Sequence, residues 1–322
     1  MPPAVVYVHG NGNKVRRELL KSQWDTALFG RDMAGATRMA YWAPLRYPEP
    51  LPDFRSDPLD GGPEPVEERA ASPAPGAPPA DRAAPEAPEE FVARTLDEAR
   101  REAADTGPEV RAGRDGSALA GWLRDMTYLG DTLAHAGERA EPSAELPLEA
   151  LPLPRAGRTA VFRRLVRHTF KDVHAYFFGG AGPAMREVVS EALDGPADGP
   201  LVVIGHSLGS VLAYEVLREL GREVELLITV GSPLAVTEVQ DQLARPPAVP
   251  AGVAAWRNAS DLRDLVALDH TLRPEYGPPE RVTDLLVTND SGNHHGIREY
   301  LSQPQVREPV HQLFGHVAHG PG

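Results

Sequence analysis

The chain has 322 residues, 41% of them hydrophobic and 25% charged, enough length and apolar content to bury a full globular core. Its formal net charge of −13 excludes a surface built to hold nucleic acid or anionic lipid, since both need clustered Lys and Arg. With no cysteine it has no disulfide, no thiol nucleophile and no cysteine-ligated metal.

The first residues show no charged and apolar leader pattern, and no run of about 18 apolar residues occurs, so no membrane-spanning helix and a cytoplasmic location are expected. Ala4 to Val8 reads as a short buried strand that runs into the glycine-marked turn His9-Gly10-Asn11-Gly12-Asn13. Val15 to Phe29 reads as a helix with Leu20, Trp24, Ala27 and Leu28 on one face, stopped by Gly30. Thr37 to Trp42 is a second strand. Strand, helix and strand at this spacing predict a βαβ unit and a parallel sheet.

From Pro48 to Pro88 prolines alternate with Ala, Asp, Glu and Gly, and large apolar residues almost vanish. Such a segment cannot bury enough surface to offset its ordering entropy. The span 48–110 is therefore expected to be a flexible Pro/Ala-rich insertion within one domain covering 1–322. Helical periodicity resumes at Ser117 to Ala136, where Leu119, Trp122, Leu123, Met126, Leu129 and Leu133 form an apolar stripe. The stretch 111–160 is a candidate cap or lid, or else simply packs in the core. Ala160 to Phe178 is a further helix, and Pro183 opens another that stops near Gly195.

The most informative stretch follows. Leu201 to Ile204 is a β-branched apolar strand, Gly205-His206-Ser207-Leu208-Gly209 a tight turn, and Leu208 to Leu220 an apolar helix with no linker between. A strand-turn-helix around Gly-x-Ser-x-Gly lifts a serine hydroxyl out at a strand end, as a nucleophile requires. Val224 to Val230, Val253 to Asn258 and Arg281 to Thr288 read as three more strands, and Tyr300 to Phe314 as a closing helix interrupted at Pro304 and Pro309.

A serine hydroxyl needs a base, a carboxylate to hold that base, and donors for the oxyanion. Asp264 follows the fifth strand and is trailed by the apolar pair Leu265-Val266, which can anchor its loop; Asp261 and Asp269 are the alternatives. The candidate bases are His295 and its neighbour His294, one strand further on. The oxyanion donors expected are the backbone N–H groups of Leu208 and of Asn11, with Gly12 as the alternative to Asn11. His206 and His9 are read as packing and loop-fixing residues. No His, Asp or Glu set has metal-ligand spacing, and the His9–Asn13 loop lacks the residues of a phosphate cradle, so no metal or cofactor is expected.

Gly-His-Ser-Leu-Gly-Ser at 205–210, Tyr-Val-His-Gly at 7–10, Val-Gly-Ser-Pro-Leu at 230–234 and Asp264-Leu-Val together resemble bacterial α/β-hydrolases of the lipase/esterase kind, over roughly 4–45 and 160–315. The resemblance implies an α/β-hydrolase fold, a mostly parallel sheet with helices on both faces, and a Ser207–His295–Asp264 triad. Tyr300, five residues after His295, fits the family's His-x-x-x-x-Tyr and favours His295 over His294. The chain begins at what would be the family's third strand, so a reduced sheet of about six strands is expected. The activity implied is hydrolysis of a small-molecule carboxylic ester through an acyl-enzyme. A thioesterase or acyltransferase would use the same triad, and a catalytically inactive binding or regulatory protein could keep the same fold. The pattern leaves the oligomeric state unassigned.

Overall fold

The computed structural model describes residues 2–55, 57, 60, 86–105, 116–136, 155–195, 199–290 and 294–317. Six strands form one sheet: β1 (Ala4–Val8), β2 (Thr37–Ala40), β3 (Leu201–His206), β4 (Val224–Val230), β5 (Val253–Asp261) and β6 (Val282–Val287). Their spatial order is β2-β1-β3-β4-β5-β6 and every neighbouring pair is parallel, so the sheet is wholly rather than mostly parallel. The chain moves outward from β1 to β2, then returns across β1 to start β3. That reversal puts a crevice between the carboxyl ends of β1 and β3, where open α/β sheets bind their ligands.

Alternation along each strand feeds two cores. Val6 and Val8 of β1 and Val203 of β3 face one layer; Val5, Tyr7, Val202 and Ile204 face the other. The first layer is built from α2 (Pro88–Asp105), α3 (Ala120–Ala136), α4 (Arg155–Phe177), α5 (Gly182–Leu193) and α6 (Leu208–Leu220). Phe91, Trp122, Phe170, Met185 and Val211 carry its contacts. Four residues, Thr237–Gln240, form α7. The second layer comprises α1 (Arg17–Phe29), α8 (Ile297–Ser302) and α9 (Pro304–Val317), through Trp24, Tyr300, Val306 and Val310. Right-handed crossovers running in opposite directions along the sheet put α1 and α6 on opposite faces.

The insertion differs from expectation in two places. Pro88–Asp105 is a helix, with Phe91, Val92 and Ala99 buried in the first core, although the sequence reads 48–110 as a flexible segment. Pro88, Glu89 and Glu90 belong to its first turn, where a missing N–H is harmless and acidic side chains suit the dipole. Residues at the start of the insertion are docked rather than free: Leu51 pairs with Val15 in a parallel bridge and donates its N–H to the Lys14 carbonyl at 2.8 Å. Residues 61–85 and 106–115 lie outside the described residues.

The apolar stripe of α3 is packed, not open. Leu119, Trp122, Leu123 and Met126 are fully buried in the first core, and Gly130 sits against Phe162 and Leu265. The closing helix divides where Pro304 begins α9. Pro309 lies inside α9, and the Gln305 carbonyl that its absent N–H would have bonded accepts from the Arg257 guanidinium at 3.4 Å. No described helix is long and apolar enough to cross a membrane.

Candidate active site

Ser207 sits between β3 and α6 with φ 54° and ψ −129°, a left-handed backbone that serine adopts only when its surroundings force it. Close approach forces the flanking glycines. A Cβ at Gly205 would lie 2.6 Å from Ser210 Cα, and one at Gly209 would strike the Val8 carbonyl of the neighbouring strand. Ser207 is buried, its N–H bonded to the Val230 carbonyl at 3.1 Å, and its carbonyl is capped by the Ser210 hydroxyl at 2.5 Å.

The loop after β1 presses on this serine. A Cβ at Gly10 would lie 2.8 Å from Ser207 Cβ, so only glycine lets the loop come this close. The Asn11 side-chain amide donates from Nδ2 to Ser207 Oγ at 3.0 Å, while its buried Oδ1 has no hydrogen-bond partner among the described residues. Gly12 N–H donates to Asp172 Oδ2 at 2.8 Å, so that donor is already engaged. The Asn11 and Leu208 N–H groups, by contrast, find no acceptor among the described residues, although both residues are buried.

Asp264 is fully buried after β5, against Gly231 at the end of β4. Both its oxygens lie 2.8 Å from His295 Nδ1, and Oδ2 also accepts the Tyr300 hydroxyl at 2.7 Å. Val266 N–H reaches Oδ1 at 2.9 Å. Burial alone would raise the Asp264 carboxyl. His295, Tyr300 and the Val266 N–H outweigh that and hold it below the usual carboxylate range. Burial, then the charge of Asp264 and the bond to it, push the Tyr300 hydroxyl far up, so it acts as a donor. His295 is tied to the elbow as well: His206, beside Ser207, donates Nε2–H to the His295 carbonyl at 2.9 Å, and the two rings lie 4.5 Å apart.

The alternatives from sequence are employed elsewhere. Asp261 accepts the Arg263 and Asn289 N–H groups at 2.7 and 2.6 Å, and Asp269 accepts the N–H and hydroxyl of Thr271, both at 3.1 Å. His294 is held at φ 56° and its Nδ1 donates to the Asn289 carbonyl at 2.9 Å. The contacts that sequence reading missed are the Tyr300 bond to Asp264, the Asn11 amide on Ser207, and the partners of the loop, Lys14 and Asp172. The Tyr300 spacing was visible, but not its partner. Asp172 sits within an otherwise regular helix and gave no signal at all.

His9 and His206 are both fully buried and held neutral. Burial, then the Lys14 charge, lowers His9 to about 3; burial, then His295 and Lys14, lowers His206 well below the ordinary range. His9 Nδ1–H donates to the Gly10 carbonyl at 2.9 Å, while its Nε2 accepts the Trp42 and Ala43 N–H groups at 3.1 and 3.2 Å. In the unfolded chain a histidine protonates near its ordinary value of about 6.5, so between there and about pH 3 the unfolded state binds more protons. The stability these rings contribute is complete above about pH 6.5 and is lost as pH falls. His9 alone should cost about 2 kcal/mol between pH 7 and pH 5, measured as the drop in urea unfolding free energy. A flat profile over that interval would contradict two neutral buried rings.

Sheet, elbow and the positions of Asp264 and His295 after β5 and β6 define an α/β-hydrolase fold. A family model described as Thioesterase domain, a family of this same fold, matches residues 154–284. That span is less than half of the chain; it includes Ser207 and Asp264 and ends before His295. The match supports a hydrolase with a small acyl substrate and falls on the thioesterase alternative, without singling out lipases or esterases. No curated protein and no solved structure matches the chain significantly. Among the described residues no cluster of His, Asp or Glu could hold a metal ion.

Proposed function

We propose that the protein is a serine acyl hydrolase acting on thioesters in preference to oxygen esters, with Ser207 as nucleophile, His295 as base and Asp264 as the acid that holds it. The observation carrying this reading is the buried Tyr300–Asp264–His295 chain beside a serine in a forced backbone conformation. His295 takes the Ser207 proton as Oγ attacks the acyl carbonyl carbon. Asp264 fixes the imidazole tautomer with Nδ1–H and stabilises the imidazolium that forms. The N–H groups of buried Leu208 and Asn11, without an acceptor among the described residues, supply the donors for the tetrahedral oxyanion, and the α6 dipole adds to the Leu208 end. Collapse expels the thiolate or alkoxide, which takes the proton back from His295. Water then attacks the acyl-serine with His295 as base, giving the carboxylic acid and free Ser207.

The thioester preference rests on the thioesterase match over 154–284. Leaving-group chemistry is compatible with it, because a thiol with pKa about 8.5 departs with little help from a general acid. A matched pair of substrates with one acyl chain, one a thioester and the other an oxygen ester, tests the choice. A kcat/KM ratio favouring the thioester by about tenfold or more is expected. A ratio favouring the oxygen ester would return the assignment to carboxylic ester hydrolysis.

A further inference from the structure

Lys14 is a lysine almost without solvent contact, 1% exposed, in the loop that faces the nucleophile. Its Nζ makes a short hydrogen bond to the Asn11 carbonyl and lies 2.5 Å from Asp57 Oδ2 and 3.1 Å from Asp60 Oδ1. Burial by itself would push this ammonium down; Asp57 and Asp60 more than reverse that and hold it above the ordinary lysine range. Asp172 of α4 is likewise fully buried, receiving Gly12 N–H at 2.8 Å, the Tyr47 hydroxyl at 3.0 Å and Arg46 Nε at 3.3 Å. The Asn11 carbonyl and the Gly12 N–H are the two ends of one peptide unit. A buried cation therefore grips its oxygen and a buried carboxylate grips its nitrogen. The preceding peptide is fixed as well, through the His9 Nδ1–H bond to the Gly10 carbonyl, and its other end is the Asn11 N–H.

We propose that Lys14 and Asp172 are positioning residues that clamp the Asn11–Gly12 peptide from opposite ends and so aim the Asn11 N–H at the oxyanion formed on Ser207. Asp57 and Asp60, from the start of the insertion, hold Lys14 in place, which ties these two side chains to the active site. The proposal rests on acyl transfer at Ser207 and deepens it. Neither residue touches the reacting atoms. Their effect reaches the transition state through the direction of one donor, where loss of a whole oxyanion donor costs about 10²–10³ in kcat.

The test uses the full-length protein with Lys14→Met, Asp172→Ala and the conservative Asp172→Asn, which keeps an oxygen to accept the Gly12 N–H. Arg16→Ala removes an exposed ion pair to Asp53 on the same stretch and serves as the control. Rates are expressed per serine labelled at completion by a fluorophosphonate, so misfolded protein is not counted. For Lys14→Met and Asp172→Ala, kcat should fall about 30-fold with KM within about threefold. The affinity for a boronic acid that forms a tetrahedral adduct on serine should fall by the same factor. Asp172→Asn should recover most of the loss, and Arg16→Ala should stay within about twofold of wild type. Should the two stronger variants not fold, Asp172→Asn still decides, with an expected loss of about threefold in both kcat and boronate affinity. Labelled wild type with variants unchanged per labelled serine, or a fall in kcat without loss of boronate affinity, would overturn the clamp alone. A wild-type protein that neither labels nor turns over would overturn the clamp together with the assignment of Ser207.

Discussion

Replacing His295 with Ala should lower kcat by about 10⁴-fold or more, while His294→Ala should stay within about threefold of wild type. The two histidines are adjacent in sequence, yet the backbone sends them to different partners. His295 faces both oxygens of buried Asp264 at 2.8 Å. His294, at φ 56°, bonds its Nδ1 to the Asn289 carbonyl and braces the loop that follows β6. Steady-state rates on an activated acyl substrate separate them. Equal losses, or the larger loss at His294, would move the base to the other ring.

The second large effect is expected at Asp264. In Asp264→Asn the side chain keeps an oxygen for the Tyr300 hydroxyl or the Val266 N–H, but it can also offer an amide N–H to His295 Nδ1. That favours the tautomer with its proton on Nε2, where the Ser207 proton must go. A fall in kcat of about 10⁴-fold with little change in folding is the expected outcome. Asp261→Asn should behave in the opposite way. Asp261 holds the Arg263 and Asn289 N–H groups and receives no bond from His295 among those described, so it should lose about 1–3 kcal/mol of stability and less than tenfold in kcat. Urea unfolding and steady-state kinetics on both variants make the comparison. An Asp264→Asn protein with near wild-type turnover would remove it from the role of orienting acid.

Strand and helix assignments read well from sequence where one physical rule dominates. Val5 to Val8, Leu201 to Ile204 and Leu226 to Val230 are short β-branched or apolar runs of the kind a buried parallel strand takes, and each is a strand. Leu208 to Leu220 is a helix over those same residues, ended by Gly221 in the left-handed conformation. The elbow was legible because its glycines answer steric demands that no larger residue can meet. Pro88–Asp105 has a composition that argues against order, yet Phe91, Val92 and Ala99 share one helical face and are buried. Partners distant in sequence were illegible for a different reason. The Asp172 bond to Gly12 spans 160 residues, and the Lys14 ion pair with Asp57 spans 43; neither leaves a local pattern. A lysine in a glycine-rich loop and an aspartate in a helix have bland solvent-facing readings, and only the folded chain reveals that both are buried.

Covalent capture of Ser207 tests the central claim most directly. Intact-mass measurement after treatment with a fluorophosphonate should show a single adduct on the wild-type protein, located by peptide mapping at Ser207, and none on Ser207→Ala. Folded wild-type protein that stays unmodified, or an adduct on a different residue, would contradict a nucleophile at the end of β3.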